Sequence, residues 1–221
     1  MEHLIKIKAI ENLTHDVKRF QCEKPEAYNF IPGHATEVSI NKKGWEEERR
    51  PFTFTLLNNS PDLEFVIKIY KDHAGVTNEL DKLTAGDELI VRDVWGAIEY
   101  KGAGYFIAGG AGITPFIAIL RQLKKDNKVD GNKLFFTNKT GKDIILEKEL
   151  NSILGKNAIH TITDEPTNKY HNGFINEQFL KDNIDDFRKH FYLCGPPKMI
   201  EALENSLIKL GASPDAVIFE K

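Results

Sequence analysis

Cysteine, methionine and tryptophan are scarce in this 221-residue chain, which contains two of each. Two cysteines are too few for a disulfide framework, a zinc knuckle or an iron–sulfur cluster. The seven histidines show no spacing typical of metal ligands. We therefore expect no metal site on the chain, and a reducing compartment, the cytoplasm, as its location.

Long apolar runs and basic tracts are also missing. Without a run of 18 apolar residues, the sequence predicts no membrane span. The opening segment MEHLIKIKAIENL places lysines inside its apolar stretch, which argues against a signal peptide. No basic tract is interleaved with aromatic residues, so neither a nucleic acid nor a membrane is an expected partner. A net charge of −3 and a hydrophobic fraction of 41% are typical of globular proteins.

The first half of the chain is predicted to form short strands. Turn residues such as Pro32-Gly33 and Ala85-Gly86-Asp87 separate segments with strand-like patterns. Residues 76–83 differ, because their apolar residues have helical spacing, with Thr77 as the cap or in the first turn. Six strands joined by turns predict an antiparallel barrel or sandwich. The predicted strands are residues 4–10, 16–24, 35–40, 51–57, 63–70 and 88–94.

The second half alternates strands with helices, which predicts parallel βαβ units in a doubly wound sheet. The sequence thus predicts two domains: an antiparallel β-barrel over residues 1–99 and a doubly wound, parallel-sheet α/β domain over residues 103–221. A short polar hinge at residues 99–102 would join them. The predicted strands are residues 104–108, 133–138, 158–163, 190–195 and 216–219, and the predicted helices are residues 115–125, 145–154, 176–184 and 198–211.

Two turns of the second half carry the strongest functional signals. Gly109-Gly110-Ala111-Gly112-Ile113-Thr114-Pro115 closes a strand and opens a helix, where free N–H groups and the positive helix end suit a phosphate. Cys194-Gly195-Pro196-Pro197 also lies between a strand and a helix. Ligands of open parallel sheets bind at the carboxyl ends of strands, so both turns are expected to face one crevice. A plain tight turn and a buried structural cysteine are the alternatives.

A third segment, Arg49-Arg50-Pro51-Phe52-Thr53, lies in the barrel half. Arg50 is a permanent cation with a fork of donors suited to a diphosphate. Phe52 offers a flat ring for stacking, and Thr53 offers a hydroxyl that both donates and accepts. Taken alone, the segment fits an edge strand with an exposed arginine better than a binding site.

In this order and at these spacings, the three segments resemble the ferredoxin–NADP reductase-like family of flavoprotein reductases. The resemblance covers almost the whole chain. It implies an NAD(P)H-dependent oxidoreductase, with FAD rather than FMN in the barrel and NADPH or NADH in the α/β domain. It also includes Pro32-Gly33-His34, Ile67-Lys68-Ile69-Tyr70, Gly75-Val76-Thr77, Gly86-Asp87 and the closing Phe219-Glu220.

The resemblance also implies roles for single residues. Arg50 would pair with the flavin pyrophosphate, Phe52 would lie against the isoalloxazine, and Thr53 would bond to flavin N5. Cys194 would help to hold the nicotinamide beside the flavin, and Thr53, Cys194 and Glu220 would be the catalytic residues. The other cofactor-binding residues that it implies are Pro51, Lys68, Ile69, Tyr70, Gly75, Val76, Thr77, Gly110, Thr114, Gly195 and Pro196.

The chain departs from the family pattern at three positions. Phe52 replaces the usual tyrosine, which removes one hydrogen bond to the flavin but leaves the stacking. His34 takes a position often filled by glutamine. Lys221 follows Glu220 where the family continues to an aromatic residue, so we expect a flavin face that is less shielded at this end.

The electron acceptor is expected from the resemblance to be flavodoxin or ferredoxin. A reductase of free flavin and a non-catalytic nucleotide-binding sensor or scaffold are the alternatives. The choice between NADPH and NADH stays open, because Lys139 or Lys142 could hold a 2′-phosphate or could belong to a solvated basic turn.

Overall fold

Two six-stranded sheets, one antiparallel and one parallel, form the framework of the protein. The computed structural model describes residues 1–96 and 98–219. Among these residues, none of the helices has the length and hydropathy that crossing a bilayer requires. The two sheets confirm the predicted fold class of a barrel-like antiparallel domain followed by a doubly wound α/β domain.

The antiparallel sheet curls on itself. Its strand order is β4-β3-β6-β1-β2-β5, and an antiparallel bridge between Phe54 and Phe65 joins the two outer strands. The predicted strand over residues 51–57 is therefore too long, because the regular strand ends at Thr53 and only the next residue, Phe54, forms the closing bridge. The strands are β1 (His3–Asn12), β2 (Val17–Glu23), β3 (Ala35–Ile40), β4 (Arg50–Thr53), β5 (Asp62–Lys68) and β6 (Glu88–Trp95).

The barrel interior follows from the alternation of the strands. In β1, Ile5 and Ile7 are buried while the lysines beside them are exposed, which is the period-two pattern of a strand with one wet face. A short helix, α1 (Val76–Leu80), packs both of its terminal side chains into the same core. It is shorter than the predicted 76–83, and Thr77 lies in its first turn because Gly75 is the N-cap.

The parallel sheet has the order β10-β9-β8-β7-β11-β12. The first strand of the domain in sequence, β7, lies at the centre of the sheet. The strands β8, β9 and β10 follow on one side and β11 and β12 on the other, which is the doubly wound arrangement. The two-residue strand β10 was not predicted, because it is too short to carry a pattern. The strands are β7 (Gly104–Gly109), β8 (Lys133–Asn138), β9 (Ala158–Ile162), β10 (His171–Asn172), β11 (His190–Cys194) and β12 (Val217–Phe219).

Helices cover both faces of the parallel sheet. Every residue of β7 is buried, as expected for a central strand that is covered on both sides. The helices begin where the sequence indicated, with Pro115 in the first turn of α2 and the Asn176 side chain accepting a hydrogen bond from the Phe179 amide at the start of α4. They are α2 (Thr114–Lys125), α3 (Glu147–Leu154), α4 (Glu177–Asn183) and α5 (Pro197–Lys209).

The segment between the sheets is fixed to β11 by one tyrosine. The Tyr192 hydroxyl accepts hydrogen bonds from the amides of Lys101 (2.9 Å) and Gly102 (3.0 Å) and donates one to the Gly102 carbonyl (2.8 Å). Its ring stacks on Phe106 at a centroid distance of 4.6 Å. Burial raises the pKa of Tyr192, so the hydroxyl keeps its proton and its donor bond. The predicted hinge is thus held in place by the sheet that follows it.

A partly buried arginine on α2, Arg121, connects the two domains. The Arg121 guanidinium donates to Glu64 Oε1 (2.7 Å) and to the Thr55 carbonyl (2.8 Å) of the barrel, and to both carboxylate oxygens of Glu149 on α3 (2.6 and 2.9 Å). The hydrogen bond from Arg121 lowers the pKa of Glu149. Val66 of β5 packs into the same hydrophobic cluster as α2, so apolar contacts support the polar ones.

Removal of the Arg121 charge is expected to destabilise the protein. Arg121→Met keeps the length of the side chain but removes the cation that bonds to both Glu64 and Glu149, and leaves the buried Glu64 with only the longer ion pair to Arg19 (3.9 Å), which costs about 3 kcal/mol. The urea midpoint, measured by circular dichroism, should fall accordingly. Lys125→Met, on the exposed end of the same helix, is the matched control and should leave the midpoint unchanged. Equal midpoints for the two variants would contradict the assigned role of Arg121.

Candidate functional site

A cleft of about 200 Å³ lies where the two domains meet. Strands of the barrel form one wall, and the ends of two parallel strands with the start of α2 form the other. Its lining residues are Ala35, Pro51, Phe52, Thr53, Val66, Ile67, Lys68, Tyr70, Thr77, Ala111, Thr114, Pro115 and Cys194. The cleft therefore brings together side chains from all three segments that the sequence analysis singled out.

Strand β4 supplies an aromatic ring and a hydroxyl to the cleft. Phe52 and Thr53 are half-buried, and the pairing of Thr53 with Ala35 on β3 fixes their position. Phe52 also packs against the barrel core, which restrains its ring. Arg50, two residues earlier, is exposed and donates to the Arg49 carbonyl at 2.6 Å. It stands at the start of the strand, and it is not among the cleft-lining residues.

Strand β5 and the loop after it contribute a cation and a phenol. Lys68 lines the cleft, and its ammonium group lies 2.9 Å from the Asp16 carboxylate. Burial raises the pKa of Asp16, but hydrogen bonds from Lys68 and Thr14 outweigh it and leave that pKa below its usual value. Tyr70 is 48% exposed at the rim of the cleft.

Two residues of the segment between Lys68 and Thr77 face the barrel core rather than the cleft. Ile69 and Val76 turn their side chains into the barrel core, where they are 4% and 1% exposed. Gly75 is the N-cap of α1 and has no side-chain cap; its carbonyl accepts the first hydrogen bonds from Asn78 and Glu79. The amides of Val76 and Thr77 are thus outside the helical hydrogen-bond ladder.

On the α/β side, the glycine turn and the cysteine turn are in direct contact. A Cβ atom on Gly112 would lie 2.2 Å from the Cys194 carbonyl oxygen, closer than any side chain allows. A Cβ atom on Gly195 would lie 2.5 Å from the methyl group of Met199. Packing therefore requires glycine at Gly112, where the blocking atoms are backbone, whereas the flexible Met199 side chain could move away at Gly195, and Gly110, with a φ of +54°, is open on its Cα side. Pro196 packs against Gly109 in the same contact.

The two cysteines have different environments. Cys22 is fully buried in the barrel core, and burial raises the pKa of its thiol to about 12. Cys194 ends β11 and lines the cleft, with partial exposure. The prediction that Cys194 faces the same crevice as the glycine turn is confirmed by the Gly112 contact and by the shared lining of Ala111 and Thr114.

The donor set of the cleft fits two nucleotides. A restrained flat ring (Phe52) and a hydroxyl (Thr53) suit a flavin on the barrel wall, and the amides at the start of α1 suit its phosphates. On the opposite wall, the glycine turn passes through a short 3-10 helix, Gly110–Ile113, into the twelve-residue helix α2, and the positive end of that helix suits a phosphate. Both walls converge on Cys194, so two planar rings would meet beside it.

Several cleft residues were not identified from the sequence. Ala35 and Val66 are small or apolar strand residues, and nothing in their local pattern distinguishes them from core residues. Ile67 was named only as part of the segment Ile67-Lys68-Ile69-Tyr70. Ala111 and Pro115 lie within the glycine turn and were named only as part of it. Glu220, predicted to be catalytic, lies outside the described residues.

Two family models match the chain in succession. The model described as "Oxidoreductase FAD-binding domain" matches residues 4–100, and that described as "Oxidoreductase NAD-binding domain" matches residues 106–205. The boundary between the two matches falls close to the Tyr192-bound segment.

Curated relatives align with most of the chain. It is 32% identical to NADH-cytochrome b5 reductase 2 of Candida albicans, over 90% of this chain and 72% of that protein. It is 29% identical to NADH-cytochrome b5 reductase 2 of Danio rerio, over 91% of this chain and 78% of that protein.

Solved structures share the fold at lower identity. A ferredoxin NADP+ reductase from Neisseria gonorrhoeae with bound FAD and NADP has a TM-score of 0.87 at 19% identity, and the match covers 99% of this chain and 98% of that one. The cytochrome b5 reductase domain of Ulva prolifera nitrate reductase has a TM-score of 0.85 at 24% identity, covering 100% and 97%. These likenesses concern the fold, whereas the family follows from the sequence matches. The chain belongs to the ferredoxin–NADP reductase-like family, and it is an NAD(P)H-dependent flavoprotein oxidoreductase that uses FAD.

Proposed function

We propose that the protein takes a hydride from NADH onto FAD in the interdomain cleft and passes the electrons to a one-electron protein acceptor of the cytochrome b5 type. The observation that carries this proposal is the convergence of Phe52, Thr53 and Cys194 on one cleft. The reaction needs the two redox rings within about 3–3.5 Å of each other and aligned, and a cleft with one nucleotide-binding wall on each side meets that need.

We assign the FAD to residues 1–99 and the nicotinamide nucleotide to residues 103–221. The ranges of the two family matches support this division, and so does the composition of the two cleft walls. FAD, when bound, accepts a hydride from the nicotinamide and can give up its electrons one at a time.

The barrel residues would position and polarise the flavin. Phe52 provides the stacking face, and the Thr53 hydroxyl provides a donor for the flavin N5 region. Arg50, exposed beside the cleft, supplies a charge for the diphosphate, together with the backbone amides near Gly75. Lys68 adds a second cation, which Asp16 holds in place. Pro51, Ile69, Tyr70, Val76 and Thr77 complete the proposed flavin-binding set.

The α/β residues would hold the nicotinamide nucleotide. Gly110 and Thr114 open α2, and Cys194 with Gly195 and Pro196 places a thiol and a tight turn at the meeting point of the two walls. Glu220 stays a proposed catalytic residue on the resemblance alone. The contact of Gly112 with Cys194 supports the assignment, because it fixes the two turns relative to each other.

We propose NADH as the preferred donor. The turn after β8 exposes Lys139 and Lys142, but its Gly141 amide donates to the Glu165 carboxylate at 2.7 Å. A carboxylate at this place disfavours the additional phosphate of NADPH by charge repulsion. The aligned relatives are named as NADH-dependent, which agrees with this preference.

The curated relatives favour a different electron acceptor from the one expected from the sequence. Flavodoxin and ferredoxin were expected from the family as a whole, whereas the aligned curated proteins are named for cytochrome b5. We therefore place a cytochrome b5-type haem protein first and keep flavodoxin, ferredoxin and free flavin as alternatives for the test.

The proposed function predicts a two-stage colour change. The purified protein should be yellow and should bleach on anaerobic addition of NADH, because the cleft aligns the two rings for hydride transfer. NADPH should bleach it less readily. Addition of ferricytochrome b5 should then restore the yellow colour and give the spectrum of reduced haem. Stopped-flow absorbance follows both stages. A protein that binds FAD but does not bleach would contradict the hydride step, and reoxidation only by flavodoxin, ferredoxin or free FMN would replace the acceptor.

Substitution of Cys194 should separate catalysis from flavin binding. Cys194→Ala is expected to slow flavin reduction by NADH about tenfold or more, equivalent to about 1.4 kcal/mol of barrier, because the nicotinamide loses a positioning contact. The flavin absorbance spectrum should be unchanged. Lys198→Ala, exposed on the same turn, is the matched control. If both variants reduce flavin at the wild-type rate, Cys194 has no part in the mechanism.

A further inference from the structure

The cation in the barrel wall of the cleft is bound by a residue that is distant from it in the sequence. Lys68, the last residue of β5, lines the cleft, and its Nζ atom lies 2.9 Å from the Asp16 carboxylate. The two side chains are 28% and 21% exposed, so water and salt screen this pair less than they screen a pair on the open surface. The charge that Lys68 presents to the cleft therefore depends on Asp16.

Asp16 also fixes the backbone at the end of β5. Its carbonyl oxygen accepts a hydrogen bond from the Ile69 amide at 2.7 Å, one residue beyond Lys68, and Val17 pairs with Lys68 in the sheet. The Thr14 hydroxyl donates to the Asp16 carboxylate at 2.9 Å. A lysine ammonium group stands on a flexible four-carbon stem, and here one residue holds both that group and the strand end that carries it.

The turn between β1 and β2, which carries Asp16, is itself held by contacts with the second domain. Leu13 packs against the hydrophobic cluster that contains α2. The His15 ring lies 3.7 Å from the Asp16 carboxylate and 3.6 Å from the carboxylate of Asp143, in the segment after β8. Contacts from both domains thus restrain the turn, and Asp16 serves as a fixed point for the lysine.

The effect of this pair on a bound flavin follows from its charges. Reduction adds electrons to the flavin, so a cation in the cleft wall favours the reduced form and raises the reduction potential. Burial raises the pKa of Asp16, but the hydrogen bonds from Lys68 and Thr14 outweigh it, so the carboxylate is ionised at neutral pH. An ionised Asp16 offsets part of the lysine charge.

We propose that Asp16 is a positioning residue, which holds the Lys68 ammonium group against the barrel wall and lowers the reduction potential of the bound FAD by offsetting part of the lysine charge. This proposal rests on the proposed function, which places the FAD against that wall. Asp16 is not one of the described residues that line the cleft, so its effect passes through Lys68. A lower potential makes the reduced flavin a stronger donor to its acceptor.

A purely structural role for Asp16 is the competing explanation. Aspartate and threonine side chains commonly stabilise turns through hydrogen bonds within the turn, and the bond between Thr14 and Asp16 is of this kind. Such a role affects the free energy of unfolding and does not depend on the charge of Lys68. The two explanations therefore differ in whether the loss of Asp16 alters the flavin, and in whether that alteration requires Lys68.

The test is the reduction potential of the FAD-loaded protein, measured by stepwise reduction with dithionite beside a redox dye. Asp16→Asn should raise the potential by about 30 mV, which corresponds to a tenfold change in the equilibrium constant of a two-electron reduction. Asp16→Ala should give the same direction of change, and it covers the case in which the asparagine variant does not fold. Asp16→Glu keeps the charge and should restore at least half of the difference.

A double-mutant cycle separates action through Lys68 from independent action. Lys68→Met alone should lower the potential, because the cation is lost and the carboxylate stays. In the Lys68→Met background, Asp16→Asn should shift the potential by less than half of its shift in the wild type, since the carboxylate lies outside the cleft lining. Equal shifts in the two backgrounds would contradict the proposal. So would Asp16 variants that melt at a lower temperature but keep the wild-type potential.

Asp62→Asn is the matched control. Asp62 is the first residue of β5 and pairs with Lys8, at the opposite end of the strand from Lys68. Its substitution should leave the potential unchanged, and a shift as large as that of Asp16→Asn would overturn the proposal. The dithionite titration needs neither NADH nor a protein acceptor. A wild-type protein that NADH does not reduce would therefore contradict the proposed function without affecting this measurement.

Discussion

The contact between Arg121 and two carboxylates is the constraint on which the rest of the structure depends. The guanidinium lies on a helix of the second domain, yet it bonds to Glu64 and to the Thr55 carbonyl of the first. These barrel groups precede the cleft-lining part of β5, so the contact sets the distance between the two walls. Ion pairs with little solvent exposure are screened weakly, and their geometry is therefore exacting. Tyr192 fixes the connecting segment and leaves little freedom for one wall to move relative to the other.

The backbone and the side chains contribute differently to the proposed site. Ile69 and Val76 anchor the loop between β5 and α1 by filling the barrel core, and the Ile69 amide fixes the loop further by donating to the Asp16 carbonyl. Phe52, Lys68 and Cys194 are among the side chains that line the cleft. Residues that hold a cofactor through their backbone need not be polar, and this explains why the proposed site contains so many apolar residues.

Much of the fold could be predicted because the local signals were consistent with one another. Strand alternation and the Asn176 cap each predicted the element that the structure shows. The closing bridge at Phe54 and the strand β10 were missed, because they depend on segments distant in the sequence or are too short to have a pattern. The bonds of Arg121 were missed for the first of these reasons, since Glu64 is 57 residues away from it. The site motifs indicated the cofactors, but an acceptor binds an exposed surface that no short motif describes.

The contact between Gly112 and the Cys194 carbonyl couples two stretches of sequence that are far apart. Neither turn has room for an additional atom at that point. The restriction falls on position 112 alone, because its neighbours in the contact are main-chain atoms that every amino acid at position 194 would present. For protein engineering, a library can therefore vary the side chain at position 194 without disturbing this contact, whereas it has to keep glycine at position 112.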